Sequence, residues 1–250
     1  MFFILKNHKI FLSSKASKVL ITIFSLIPTL FGQEITPKTD VLNIRPPLLE
    51  KNEINIDGYL DEDEWSKAVS RSNFISYLPV DGRPAEDDTE IRIWYSSSAL
   101  YIGIIAHEIH GEVRSTLADR DNLENDDYIL LFLDTYDDKR SAFAFAVNPL
   151  GQQGDGTIKD NSSMSRKSSL TFKLDDNPDY IFNSKGRLSD DGFIVEIEIP
   201  FKSLRFKRVE KQNWGFNVLR RVQHSGYRST LFNVKLGSVS FLAQSGKLID

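Results

Sequence analysis

The clearest pattern along the chain is a pair of apolar runs separated by a polar stretch. Residues 128–133 are apolar throughout, and large and small apolar side chains alternate at 142–147. The uninterrupted run predicts a strand covered on both faces, and the two runs around the polar residues 134–141 predict a β-hairpin. Asn148-Pro149-Leu150-Gly151 supplies a turn at its end. We therefore expect this hairpin to lie in the core of the fold.

Shorter alternating stretches predict further strands. Ile91, Ile93 and Tyr95 alternate with Arg92 and Trp94. Every second residue from Phe193 to Ile199 and from Trp214 to Val218 is apolar, and Glu196 and Glu198 lie between the apolar positions of the first of these stretches. This period of two is typical of half-buried strands. Further strands are indicated at 54–56, 100–106, 170–174 and 180–184. Many short strands separated by Gly, Pro and Asp turns predict an all-β, antiparallel, jelly-roll-like β-sandwich.

Helical periodicity is nearly confined to residues 61–69. Asp61 and Glu64 have the spacing of a capping box, and Leu60 and Trp65 are placed to form a hydrophobic staple around it. We therefore expect one short helix that begins at Asp61. Trp65 is predicted to be a packing residue rather than a platform for a sugar.

The first 32 residues have the organisation of an export signal. Basic residues end at Lys18, an apolar run extends from Val19 to Phe31, and Gly32 offers a small residue at a cleavage point. The run is shorter than the roughly 20 apolar residues that span a bilayer. We expect a cleaved signal peptide at 1–32; a retained anchor helix is the alternative.

Two further regions follow the predicted signal. Residues 33–52 contain three prolines and are expected to form a linker or an edge extension. The β-sandwich is expected at 53–250, truncated at its C-terminal end because residues 241–246 read as a continuing chain.

Charge and cysteine content narrow the possible functions. Without the four lysines of the predicted signal, 27 basic residues face 35 acidic ones, a net charge of −8, which disfavours nucleic-acid binding. The absence of cysteine excludes disulfides, thiolate metal sites, cysteine nucleophiles and lipidation. An exported protein without disulfides fits a bacterial envelope, so we expect it in the periplasm or associated with the outer membrane.

The acidic loop at 119–127, just before the first hairpin, is a candidate binding site. Its carboxylates and amides are the oxygen ligands that Ca²⁺ prefers, although their order does not match the EF-hand loop. The candidate ligands of a structural Ca²⁺ are Asp119, Asp121, Asn122 and Asp127. The alternative is a hydrated acidic loop that keeps a sheet edge soluble.

The sequence carries no signature of catalysis. It has no phosphate-binding glycine loop and no nucleophile-elbow serine. His107 and His110 are three residues apart on a predicted strand end, where they lack the helical face of a zinc pair. We therefore predict a binding protein rather than an enzyme.

Several motifs together resemble the family 9 carbohydrate-binding modules. They are Ile56-Asp57-Gly58 with Leu60-Asp61-Glu62, Trp65 and Ala68; Trp94-Tyr95 with Leu100-Tyr101-Ile102-Gly103; and Asn125-Asp126-Asp127 with Phe132-Leu133-Asp134. The resemblance extends from about residue 54 to the end. The motifs at 119–122, 148–151, 200–206 and 214–217 resemble a subgroup of exported bacterial envelope proteins. In that subgroup the module precedes a domain of unknown function that resembles an outer-membrane barrel.

The resemblance implies a module that binds oligosaccharide or polysaccharide without cleaving it, in proteins linked to xylan-type catabolism and O-glycosyl hydrolase systems. It also implies structural calcium in some relatives. Family members clamp the sugar between two tryptophans, whose positions hold Leu123 and Phe241 here. The candidate saccharide-binding residues are Leu123, Glu124, Asp126, Arg120, Trp94 and Phe241.

The leucine at the first clamp position leaves a second interpretation open. Leucine provides apolar area but no π-face against sugar C–H groups, so the stacking energy of an aromatic ring is largely missing. The alternative is a periplasmic structural or interaction domain of an outer-membrane barrel protein that has lost sugar binding.

Overall fold

The computed structural model describes residues 42–50, 54–109, 111–117, 119–159, 179–237 and 240–250. The predicted signal peptide and the predicted strand at 170–174 lie outside these residues. Within the described ranges, thirteen strands form two sheets and one short α-helix is present. The predicted all-β sandwich with one short helix is confirmed. No helix in these ranges is long and apolar enough to cross a membrane.

Within the described residues, short strands and one short helix follow one another along the chain. In chain order they are β1 (Asn43–Ile44), α1 (Asp63–Lys67), β2 (Val69–Arg71), β3 (Ile75–Leu78), β4 (Thr89–Tyr95), β5 (Ala99–His107), β6 (Tyr128–Asp134), β7 (Ser141–Val147), β8 (Gln153–Lys159), β9 (Asn183–Ser189), β10 (Gly192–Pro200), β11 (Asn213–Arg221), β12 (Arg228–Thr230) and β13 (Gly246–Ile249). Short 3-10 helices lie at Phe201–Ser203 and Leu242–Gln244.

The two sheets differ in size and in order. The first sheet has eight strands, six of them in the order β1-β13-β11-β6-β7-β8. The other two are β12, which pairs with the C-terminal part of β11, and β3, which pairs with β12. The second sheet has five strands in the order β2-β4-β5-β10-β9. All these strand pairs are antiparallel except β1 with β13.

The main core lies between the two sheets. Alternate residues of β10 face it, as the sequence predicts, and Phe193 and Ile197 are fully buried there. Phe145 from β7 and Phe216 from β11 contribute large rings from the first sheet. Because alternate side chains of each strand face the other layer, the strand period of two determines which residues form the core.

The central strand β6 is covered on both of its faces. Leu131 faces the core between the sheets, whereas Leu130 and Phe132 belong to a second apolar cluster on the outer face of the first sheet. All seven residues of β6 are buried, so the prediction from its uninterrupted apolar run is confirmed. Phe241 and Leu242, which follow β12, cover this outer face.

The start of the helix differs from the prediction. Helix α1 begins at Asp63 with Glu62 as its N-cap, and no side chain makes a cap hydrogen bond, so the capping box at Asp61 is wrong. The carboxylate of Glu62 instead accepts a hydrogen bond from the Asn55 amide at 3.2 Å. Trp65 is buried, which confirms its packing role.

Residues 54–56 do not form the predicted strand. The segment lies over the outer face of the second sheet, where Ile54 and Ile56 pack beside Trp65. The Glu196 carboxylate accepts hydrogen bonds from the amides of Asp57 at 2.9 Å and Gly58 at 3.0 Å. The Glu196 side chain therefore provides the hydrogen-bond acceptors for these two amides, in place of the carbonyl oxygens of a neighbouring strand.

The strand predicted at 180–184 is displaced toward the C-terminus, since β9 begins at Asn183. Gly186 lies in β9 against the turn that ends β7, and a Cβ there would overlap the Pro149 carbonyl oxygen. Tyr180, which precedes β9, instead packs edge-to-face on Phe143 at 5.0 Å. Close packing between distant segments thus sets where this strand begins.

The lead-in at 42–50 takes the form of an edge extension rather than a free linker. Asn43 and Ile44 pair with β13 of the first sheet, and Ile44 is fully buried. Farther along, the Leu49 amide donates to the Tyr95 carbonyl oxygen of the second sheet at 2.9 Å. This segment therefore contacts both sheets.

Candidate functional site

The C-terminal end of the acidic loop is held by two buried carboxylates. Asp126 accepts hydrogen bonds from Thr116 Oγ1 at 3.0 Å and from Asn148 Nδ2 at 2.8 Å. Asn148 belongs to the turn after β7, so this contact ties the loop to the hairpin. The alternative of a hydrated sheet edge does not hold for Asp126, whose carboxylate is buried and enclosed by hydrogen-bond donors.

Asp127 is buried in a similar way, but its partners are mainly backbone amides. Its carboxylate accepts hydrogen bonds from the amides of Arg114 at 3.3 Å and Gln223 at 2.6 Å. Burial raises the pKa of Asp127, while the two amides and the nearby Arg220 guanidinium oppose that rise. Asp127 therefore acts as a link between the loop, the chain before it and the end of β11.

The N-terminal half of the loop is fixed to β8. The Asp121 amide donates to the Gln153 carbonyl oxygen at 2.9 Å, and Asp121 Oδ1 accepts from the Asp155 amide at 2.9 Å. Arg120 donates to Gln153 Oε1 at 2.8 Å, to the Tyr180 carbonyl oxygen at 2.9 Å and to the Asp155 carboxylate. These contacts join the loop, the edge strand and the segment before β9.

Leu123 and Phe241, the two positions of the family clamp, both belong to the outer cluster of the first sheet. The Phe241 ring lies 4.9 Å from the Phe132 ring centroid and 5.8 Å from that of Tyr77. Leu123 is 6% exposed and Phe241 is 4% exposed. The structure thus places both positions in one apolar cluster, but most of their apolar surface contacts protein.

Two of the three polar candidates of the loop remain accessible. Arg120 and Glu124 are exposed; Glu124 follows Leu123 directly, whereas Arg120 precedes it by three residues. Asp126 is buried, and its carboxylate is occupied by Thr116 and Asn148. A ligand at this loop would therefore meet Arg120 and Glu124 before it met Asp126.

Trp94 does not lie with the other candidates. Its ring stacks on Tyr101 at 3.9 Å and contacts Trp65 edge-on at 6.0 Å, on the outer face of the second sheet. Trp94 is 0% exposed because helix α1 and residues 54–60 cover that face. Its ring therefore has no face open to a saccharide.

The proposed calcium ligands do not converge into a carboxylate cage. In the described part of the chain, no group of three or more His, Cys, Asp or Glu side chains is suited to hold a metal ion. Both carboxylate oxygens of Asp127 accept hydrogen bonds from backbone amides, and one oxygen of Asp121 accepts a hydrogen bond from the Asp155 amide. Asp119 and Asn122 are exposed. These residues do not fit a bound Ca²⁺ in the arrangement described, and calcium binding stays a prediction of the sequence.

Sequence reasoning missed a cavity of about 400 Å³ against the inner face of the first sheet, where segments next to β9 and β10 cover it; we call it the interlayer cavity. It lies at the end of the β6–β7 hairpin opposite the acidic loop, and Phe143, Thr157, Tyr180 and Arg205 are among its lining residues. These residues come from separate elements, so no local motif signals the site. The register of β7 with β8 places Phe143 opposite Thr157, but no strand is predicted at β8 from the sequence.

A smaller pocket of about 160 Å³ lies at the edge between β4 and β13. Phe201, Phe206 and Trp214 form an edge-to-face and tilted aromatic group along its wall, and Tyr95 OH donates to Asp250 at 2.9 Å at its rim. Trp214 Nε1 already donates to Gln212 at 3.1 Å. The pocket is therefore almost wholly apolar.

The fold is similar to that of solved family 9 carbohydrate-binding modules. A module of this family from Caldicellulosiruptor kristjanssonii in complex with cellotriose is 16% identical, with 82% of this chain and 92% of that chain covered and a TM-score of 0.55. Its complex with glucose gives the same identity and a TM-score of 0.56, with 82% of this chain and 94% of that chain covered.

A third structure has the same architecture. It is a Bacteroides uniformis protein provisionally assigned to carbohydrate binding, 11% identical, with 83% of this chain and 97% of that chain covered and a TM-score of 0.58. No protein-family model and no curated protein matches the chain. At these identities the similarity establishes the β-sandwich fold.

Proposed function

We propose that this protein is a non-catalytic carbohydrate-binding module. The observation that carries the proposal is that Leu123 and Phe241 belong to one apolar cluster on the outer face of the first sheet, with the exposed Glu124 next to Leu123 in the sequence. The solved modules with this fold include one in complex with cellotriose and with glucose, which supports a saccharide as the ligand class.

The chemistry of the surface suits a weakly held saccharide. Glu124 and Arg120 offer charged hydrogen-bond partners to sugar hydroxyls, and such bonds are stronger than neutral ones. Leu123 and Phe241 offer only narrow apolar edges, because both are buried. We expect affinity below that of a clamp with two open aromatic faces, since ring stacking contributes little here.

We further propose the setting that the sequence resemblance implies. The module would act outside the cytoplasm, in the periplasm or at the outer membrane, in xylan-type polysaccharide catabolism linked to O-glycosyl hydrolases. An outer-membrane barrel domain would follow it in the full-length protein. The predicted export signal and the lack of cysteine support this setting.

Calorimetric titration of the purified protein with glucose, cellotriose and xylotriose tests the proposal. We expect saturable heat with at least one trisaccharide, and at least fivefold weaker binding in Glu124→Gln. Glu210→Gln, an exposed carboxylate outside this site, is the matched control and should bind as the parent does. Repeating the titration with a chelator tests the calcium prediction separately.

A different result would favour the second candidate function, an interaction domain without sugar affinity. The burial of Leu123, Phe241 and Trp94 favours this candidate, because their apolar surfaces already contact protein. No heat with any saccharide from a folded protein would contradict carbohydrate binding. Equal weakening by Glu124→Gln and Glu210→Gln would contradict the site.

A further inference from the structure

The interlayer cavity has the size and composition of a small-ligand site. Its volume of about 400 Å³ lies within the roughly 300–1,000 Å³ of ligand pockets, which combine an apolar lining with a few polar groups. It opens on the inner face of the first sheet, whereas Leu123 and Phe241 lie on the outer face. The two sites are therefore separate.

The floor and one wall of the cavity are apolar or aromatic. Leu133 of β6 and Phe143 of β7 pair across the hairpin and both face the core. The Tyr180 ring packs edge-to-face on Phe143 at 5.0 Å. The backbone of Tyr180 is fixed from both sides, because its amide donates to Asp155 at 2.5 Å and its carbonyl accepts from Arg120 at 2.9 Å. This wall is thus positioned before any ligand arrives.

Hydroxyl groups surround this apolar floor. Among the described residues, the side-chain oxygens of Ser141 and Thr157 have no hydrogen-bond partner, although both residues line the cavity. Thr135 and Ser203 donate to the backbone oxygens of Arg205 at 2.5 Å and Ile181 at 2.6 Å. Each hydroxyl oxygen retains lone pairs that accept hydrogen bonds. The rim therefore offers both donors and acceptors.

The charge of the cavity is positive. Arg205 is exposed at the cavity and forms no ion pair with any described residue, and no Asp or Glu is among the described residues that line it. A guanidinium group binds a carboxylate through two parallel hydrogen bonds. The ligand class that matches is therefore anionic, polyhydroxylated and apolar on one face.

We propose that the interlayer cavity binds an acidic sugar unit, a hexuronate. Its carboxylate would pair with Arg205, its hydroxyls with Ser141 and Thr157, and its C–H face would lie on the Phe143 and Tyr180 rings. The inference rests on the proposed carbohydrate-binding function and extends its ligand class to acidic saccharides.

Titration of the purified protein with glucuronate, glucose and acetate at one ionic strength tests this assignment. We expect glucuronate to bind at least tenfold more tightly than glucose or acetate. Arg205→Gln should weaken glucuronate binding at least tenfold, and Arg208→Gln should leave it unchanged because that exposed arginine does not line the cavity. Thr157→Val, which replaces a hydroxyl by a methyl group, should weaken it several-fold without lowering the unfolding temperature.

The same variants titrated with cellotriose separate this inference from the proposed function. Loss of glucuronate binding in Arg205→Gln with unchanged cellotriose binding supports a second site. Glucuronate binding without any cellotriose binding also supports the cavity, and it counts against the site at Leu123. The assignment is overturned if glucuronate does not bind the parent protein, if acetate binds equally well, or if Arg205→Gln and Arg208→Gln have equal effects.

Discussion

Arg120 and Asp155 form an ion pair whose two members differ sharply in exposure. The Asp155 side chain is 1% exposed, whereas that of Arg120 is 39% exposed. Burial raises the pKa of Asp155, and the Tyr180 amide and Arg120 oppose that rise. Because Arg120 precedes Leu123 and Tyr180 lines the interlayer cavity, this pair connects the two candidate sites.

Replacing Arg120 by Gln should destabilise the protein more at neutral than at acidic pH. The change leaves the Asp155 carboxylate buried without its cation, and we expect a loss of about 1–2 kcal/mol at pH 7, since Arg120 is partly solvated. Below the pKa of Asp155 the carboxyl group is neutral, so the loss should shrink. Urea unfolding at pH 7 and pH 4 measures both values, with Arg208→Gln as control. An equal loss at both pH values would contradict this role.

Glu196 should make the protein less stable as the pH rises toward neutral. Burial, the largest cause, raises the pKa of Glu196 from 4.5 to about 7 in the folded protein. The folded state therefore binds more protons than the unfolded state between these values. The contribution of Glu196 to the free energy of unfolding is fully present below about pH 4.5 and is lost as the pH rises through about 7.

Glu196→Gln should remove most of this pH dependence. The glutamine oxygen can still accept hydrogen bonds from the Asp57 and Gly58 amides, but it does not titrate. We expect the variant to gain on the order of 1 kcal/mol relative to the parent between pH 5 and pH 7.5. Urea midpoints at the two pH values provide the test. Parallel pH profiles for parent and variant would show that another group is responsible.

Trp94→Phe should reduce stability without changing saccharide affinity. The indole is fully buried between Tyr101 and Trp65, so the smaller ring leaves a gap and should cost about 1–3 kcal/mol. The ring has no open face, so the trisaccharide dissociation constant should stay within twofold of the parent value. Thermal unfolding and calorimetry measure the two effects. A tenfold weaker affinity in the folded variant would show that Trp94 contacts the sugar.

Gly186→Ala should be far more destabilising than Gly154→Ala. A Cβ at Gly186 would overlap the Pro149 carbonyl oxygen, and backbone must move to relieve this, which should cost about 1–3 kcal/mol or more. At Gly154 the nearest atom to such a Cβ lies 3.5 Å away, an ordinary contact, so this variant is the matched control. The difference in urea midpoint between the two variants is the measurement. Equal midpoints would mean that β9 and the turn after β7 can move apart at little cost in the free energy of unfolding.

The sequence predicted those parts of the fold that depend on neighbouring residues. The apolar run of β6, its partner β7 and the turn at 148–151 carry their own periodicity and turn chemistry, and the structure has both strands there. Strand β10 alternates in the same way. Where one strand pairs with the next through a turn, local pattern and final structure agree.

Features that depend on distant residues were not predictable in this way. Residues 54–56 look like a strand, yet their position over the second sheet depends on hydrogen bonds from the following turn to Glu196, far along the chain. The burial of Asp126 depends on Asn148, and the interlayer cavity depends on loops from three separate regions. Only the family resemblance suggested that Leu123 and Phe241 share one apolar cluster, because no local pattern links them.

The lead-in segment also determines how the protein would respond to a mechanical force. Its residues Asn43 and Ile44 pair with one layer, and Leu49 hydrogen-bonds to Tyr95 of the other. Tension applied to the chain at residue 42 would act along the parallel pairing with β13 before it reached the Leu49–Tyr95 bond. Peeling this segment away would therefore require rupture of contacts with both layers in succession.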